Sequence, residues 1–110
     1  MDEETSQLCT KIKEVIATID DFATAIAVNE TEKKDLLYRL FILQVQEVFP
    51  MIMNYYLRED MKGSESELQE WSGQLSRIMD ALKGKDLFFL FDVLEFETKE
   101  NMLYLYRKIA

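Results

Sequence analysis

The chain has 110 residues, a formal net charge of −8 from 21 acidic and 13 basic side chains, 48% hydrophobic residues, three glycines, one proline and no histidine. That length suits one domain, residues 1–110, able to bury a core without metal or disulfide staples, and the scarcity of turn formers excludes an all-β fold. The acidic balance excludes a nucleic-acid binder, which needs clustered lysine and arginine, and the missing imidazole excludes Ser-His and Cys-His triads, most zinc sites and Glu-x-x-His di-iron pairs.

Residues 1–5 are polar, and Thr5 or Ser6 is placed to cap a first helix in which Leu8, Ile12, Val15, Ile16, Ile19, Phe22, Ala23 and Ile26 recur at helical spacing. Cys9, the one cysteine, falls beside Leu8 and Ile12 as a half-buried small hydrophobe, since no histidine is present to activate its thiolate. It has no disulfide partner, and the acidic N-terminus lacks a signal-peptide pattern, so a reducing, cytoplasmic setting is expected. VNET, residues 28–31, breaks the helix: Asn29 suits a left-handed helix end and Thr31 a cap for the next helix.

The second helix is expected over residues 32–61, with a kink or break near Pro50, which lacks an amide proton and crowds the carbonyl of Gln46. Leu36, Leu37, Leu40, Phe41, Val45, Val48, Phe49, Ile52, Met53, Tyr56 and Leu57 give it a wide apolar face. FPMIMNYY, residues 49–56, mixes flexible methionines with amphipathic tyrosines, a composition suited to an adaptable contact surface, with core filling the favoured use. KGS, residues 62–64, is a loop, and Ser64 with Glu67, or Ser66 with Gln69, has capping-box spacing for a third helix. Leu68, Trp71, Leu75, Ile78, Met79 and Leu82 form the apolar stripe of that helix, with Trp71 a core anchor whose indole N–H needs a partner at the rim. Gly73 costs about 1 kcal/mol relative to alanine, which a close helix approach would justify, and Gly84 suits a left-handed helix end.

Asp86 is placed to cap a fourth helix whose core face is Leu87, Phe91, Leu94, Thr98, Met102, Leu105 and Ile109. Phe89, Val93, Phe96, Leu103 and Tyr106 form a second stripe, so this helix is apolar over more than the roughly 100° a surface helix needs. Asp92, Glu95 and Lys99 fill the remaining arc as a solvated face. Glu97 lies between the stripes, where a bond from Arg39, Tyr38 or Tyr56 on the second helix would set the register. The acidic pairs Asp20–Asp21, Asp92–Glu95 and Glu95–Glu97 lack a surrounding ligand pattern, and no cofactor is expected. The longest unbroken apolar runs, such as residues 87–91, fall far short of the roughly 20 residues that span a bilayer, so membrane insertion is not expected.

The segment DLFFLFDVLEFE, residues 86–97, an aspartate and an apolar run followed by LEFE, resembles a segment of small uncharacterised bacterial helical proteins. The resemblance covers about a tenth of the chain and implies a helical bundle and a bacterial source, and it implies no activity. In size, charge and fold class the chain also resembles bacterial secretion and flagellar export chaperones.

Short connections make consecutive helices antiparallel, so the expected architecture is all-α, an up-down-up-down four-helix bundle. The expected function is a protein-binding module, adaptor or secretion-chaperone-like, using the apolar side chains Phe49, Met51, Tyr55, Phe88, Phe89, Val93, Phe96, Leu103 and Tyr106 against a partner or another copy, with Glu97 and Arg39 as structural polar groups. A structural homodimer is the alternative, and a carboxylate enzyme a distant one.

Overall fold

A computed structural model describes residues 3–58, 65–84 and 86–110. They form α1 (Glu3–Ala27), α2 (Thr31–Arg58), α3 (Glu65–Gly84), α4 (Leu87–Val93), a π-helical turn (Leu94–Thr98) and α5 (Lys99–Ile109), with no strand among the described residues. The last three elements are continuous, so the chain is an all-α bundle of four rods.

On α1, Leu8, Ile12, Val15, Ile19 and Phe22 are each at most 2% exposed and repeat at steps of four and three, which keeps them on one face. Full burial of such side chains contributes about 1.5–3 kcal/mol each. The helix begins at Glu3, so Thr5 and Ser6 lie inside its first turn and do not cap it, and Thr5 is buried. Glu3 and Glu4 place negative charge at the positive end of the helix dipole.

Asn29 takes φ 55, the left-handed conformation expected of it. Glu30 N–H donates to the Ala25 carbonyl at 3.0 Å and Asn29 N–H to that of Ile26 at 3.2 Å, the paired bonds of a Schellman end. The carbonyl that opens α2 is that of Glu30, which accepts from Lys34 N–H at 2.9 Å, so the boundary falls one residue before the expected Thr31 cap. From this turn α2 folds back along α1: Lys11 pairs with Glu47, and Glu4 with Arg58 at 3.1 Å.

Pro50 does not break α2, which runs uninterrupted from Thr31 to Arg58. Pro50 and Gln46 both face solvent, so the carbonyl that loses its amide partner is open to water and the ring displaces no core side chain. Residues 59–61 of the expected helix, the KGS loop and its Ser64 cap lie outside the described residues. Ser66 lies inside α3 and does not cap it. Gly84 is the last residue of α3 without a left-handed φ, and a Cβ on Gly73 would meet nothing within 4 Å, so no close helix approach requires that glycine.

By length and composition α2 is apolar enough to cross a membrane, with 39% of its most apolar window buried in the bundle. Counting unbroken apolar runs missed this, because glutamines and tyrosines interrupt a helix that carries leucines on its outer side as well as its inner one.

Asp86 caps α4 as expected, its Oδ1 accepting from Phe88 N–H at 3.1 Å and Phe89 N–H at 3.0 Å. In the π turn Lys99 N–H donates to the Leu94 carbonyl five residues back. The buried positions of this rod are Leu90, Leu94, Thr98, Met102 and Leu105, with Val93 beside them. Three successive steps of four on a regular α-helix drift by about 40° each, roughly 120° in all. The π turn absorbs one residue and restores the face. α4 is thereby displaced by one position from the expected stripe: Leu90 takes the core place assigned to Phe91, and Val93 moves in from the second stripe.

Candidate functional site

The structure separates the nine candidate contact residues into three groups. Phe49 is 3% exposed and stands edge-to-face with Trp71, ring centroids 5.8 Å apart, and Val93 is 1% exposed; both are core residues. Tyr55 is also buried, edge-to-face with Tyr56 at 5.4 Å. The FPMIMNYY segment thus spends most of its aromatic surface on the core, because α3 crosses α2 there. Met51 and Tyr106 are half-buried at its edge, Tyr106 with the Lys13 ammonium 5.2 Å from its ring centroid, and Leu103 is half-buried. Phe88, Phe89 and Phe96 remain, at 74%, 42% and 68% exposed.

These three sit on the outer side of the fourth rod. Phe88, Asp92, Phe96, Glu100 and Tyr104 succeed one another at steps of four, and all five are exposed, so the rod presents a ladder in which aromatic and acidic side chains alternate. The ladder stays on one side because the π turn removes about 90° of the accumulated drift. Phe96 is held edge-to-face against Phe91, centroids 6.3 Å apart. Beside it runs an open groove of about 410 Å³ between α3 and the π turn, lined by Gly73, Gln74, Arg77, Phe96, Glu97 and Glu100 among others.

The groove floor is a satisfied polar network. Gln74, buried on α3, donates from Nε2 to the fully buried Thr98 Oγ1 at 2.9 Å and accepts at Oε1 from Asn101 Nδ2 at 2.8 Å. This explains a threonine on the core face, since the carboxamide opposite answers its hydroxyl. Glu97 pairs with Arg77 of α3 at 2.7 Å, whereas the expected partners were on α2, where Arg39 is exposed. The one-residue displacement at the π turn aims Glu97 toward α3.

A second polar centre joins three rods at Glu67. Its Oε1 accepts from Tyr104 Oη at 2.7 Å, and its Oε2 accepts from Lys108 Nζ at 2.6 Å and from Tyr56 Oη at 3.1 Å. The buried Trp71 Nε1 donates to Tyr56 Oη at 3.3 Å, so the indole's partner is itself buried and not at the rim. Lys108 holds the Glu67 carboxyl below the usual range, and the same bond raises Lys108. Burial pushes the Tyr56 phenol well up. Asp20 pairs with Lys99 at 2.6 Å and ties α1 to α5. Among the described residues no group of three or more carboxylate or cysteine side chains is placed to hold a metal ion.

One exposed feature escaped the sequence reading. Leu36, Leu40 and Leu43 are 67%, 43% and 57% exposed, on the side of α2 away from the core residues Phe41, Val45, Val48 and Ile52. Their spacing of four and three was the available signal: two separate apolar stripes on α2, which a single wide face had merged.

Comparison with family models, curated proteins and solved structures finds no match to this chain.

Proposed function

We propose that the chain is a protein-binding module, adaptor-like or export-chaperone-like, whose docking surface is the aromatic–acidic ladder of the fourth rod. The observation that carries this reading is Phe96, 68% exposed yet braced against Phe91, with Phe88 and Phe89 exposed on the same rod. Large aromatic rings held rigid at a surface lose little conformational entropy on binding and are the side chains that dominate contact energies. Isolated apolar side chains on a surface are ordinary, but several exposed aromatic rings recurring along one side of a helix mark an interaction site. Asp92 and Glu100, interleaved with the rings, select a partner helix that carries apolar side chains at steps of three and four flanked by lysine or arginine.

A labelled synthetic helix with leucines at that spacing and flanking lysines tests the reading by fluorescence anisotropy. Wild type is expected to bind it and to bind a glutamate-flanked counterpart more weakly, with Phe96→Asp weakening the basic helix by about tenfold or more, as loss of a central aromatic contact does. Equal binding of both helices, or indifference to Phe96→Asp, overturns it.

A further inference from the structure

Taking the fourth rod as the docking surface proposed above, we infer that the groove between α3 and the π turn seats one arginine side chain of the docked helix. Phe96 and Glu100 belong both to the ladder and to the groove, so a helix lying on the ladder carries its flank over the groove. The α3 wall is built by Glu70, Gly73, Gln74 and Arg77, which share one face at helical spacing. A glycine inside a helix weakens it relative to alanine, yet a Cβ at Gly73 would meet nothing within 4 Å, so no contact inside the molecule requires the glycine. Its effect is to keep that wall low, since a longer side chain at this position would project into the groove. The free volume of about 410 Å³ is within the range of small-ligand sites, and the groove is open to solvent, which suits a side chain delivered by a partner.

Charge selects the kind of side chain. Of the charged groups that line the groove, Arg77 and Glu97 neutralise each other in their 2.7 Å pair. Glu70 on the α3 wall and Glu100 on the α5 wall are both exposed, and among the described residues neither is in an ion pair. The surroundings do not compensate them. Lys108 is held by Glu67 and Lys99 by Asp20. Exposed Lys83 and Arg107 lie roughly 9–10 Å further along their helices than Arg77 and Glu100, whereas exposed Asp80 and Asp92 each lie about a turn from the lining and add negative charge. The groove is therefore net negative, in a chain whose net charge is −8. Gln74 and Asn101 spend their facing groups on each other and on Thr98, which leaves the two carboxylates as the acceptors. Arginine answers this arrangement better than lysine: its planar fork donates in more than one direction and stacks on an aromatic ring, and Phe96 supplies that ring at 68% exposure.

Labelled synthetic helices test this on the full chain by fluorescence anisotropy. All carry leucines at steps of three and four with flanking lysines, and they differ at one position beside the central leucine, which is arginine, its neutral isostere citrulline, or lysine. Wild type is expected to bind the arginine helix about tenfold more tightly than the citrulline helix, with the lysine helix between them. Glu70→Gln and Glu100→Gln are each expected to cut that preference to about threefold, and the two together to remove it. Gly73→Leu is expected to remove the preference while raising the denaturant midpoint, because leucine is the better helix former. Equal binding of the arginine and citrulline helices, a lysine helix that matches the arginine helix, or a preference that survives Gly73→Leu or the double glutamine variant overturns the inference. A lower midpoint for Gly73→Leu also overturns it, by showing that the glycine serves the fold. Wild type that binds all three helices alike, and loses them as Phe96→Asp, leaves the module standing without the arginine seat; wild type that binds none removes both.

Discussion

Glu67 ties three rods together, and its chemistry depends on charge. It accepts from Tyr56 of α2 and from Tyr104 and Lys108 of α5, with its side chain 21% exposed. Tyr56 in turn satisfies the buried indole of Trp71, so the carboxylate orients a relay that ends in the core. Lys108 lowers the Glu67 pKa on folding, so its contribution is complete at neutral pH and is lost as pH falls through the folded value. Wild-type stability measured by urea unfolding is therefore expected to drop below about pH 4.3, the unfolded glutamate value. Glu67→Gln is expected to cost about 1–2 kcal/mol at neutral pH and to have a shallower acid limb, the remaining carboxylates supplying the rest of the slope. Parallel pH profiles for the two proteins contradict this.

The decisive element is the π turn at Leu94–Thr98. It reconciles a core stripe spaced at four with a helix that turns in 3.6 residues, and it brings Thr98 to Gln74 and Glu97 to Arg77. A chain lacking Glu97 is expected to close the turn into regular α-helix with Leu90 and Met102 still on one side, losing little beyond an exposed ion pair worth at most about 1 kcal/mol. Removing Glu14 from α1 has no such outlet: every later side chain turns by about 100°, carrying Val15, Ile19 and Phe22 out of the core. Thermal melts followed by circular dichroism should show cooperative unfolding for the first deletion and none for the second. The reverse order of tolerance would contradict the role given to the turn.

At the scale of the whole molecule, apolar surface falls into two populations with different consequences. Leu105 is inaccessible at the centre of the bundle, while Leu40 on α2 and Phe96 on the fourth rod are 43% and 68% exposed. Leu105→Ala is expected to cost about 2–5 kcal/mol, a large share of the roughly 5–15 kcal/mol that holds a domain of this size together. Leu40→Asp and Phe96→Asp are expected to change stability by no more than about 0.5 kcal/mol. Denaturant midpoints for the three variants decide it, and a substantial loss for either surface variant would show that its side chain serves the fold.

Local pattern by itself determined the helical class, the face of α1 from Leu8 to Phe22, the left-handed end at Asn29 and the Asp86 cap, because each depends on residues within a turn or two of one another. Of the candidate contact residues it identified Phe88, Phe89 and Phe96 on the fourth rod, but it also named Phe49, Tyr55 and Val93, whose burial is set by other rods. Tertiary structure alone decided the rest. Pro50 is harmless because its side of α2 faces water, Glu97 reaches Arg77 because a π turn displaces the register by one residue, and Leu36, Leu40 and Leu43 lie outside because α2 has room for only one of its two apolar stripes against the bundle. The composition of a helix states how much apolar surface it owns; which part of that surface is hidden depends on the neighbours that happen to cover it.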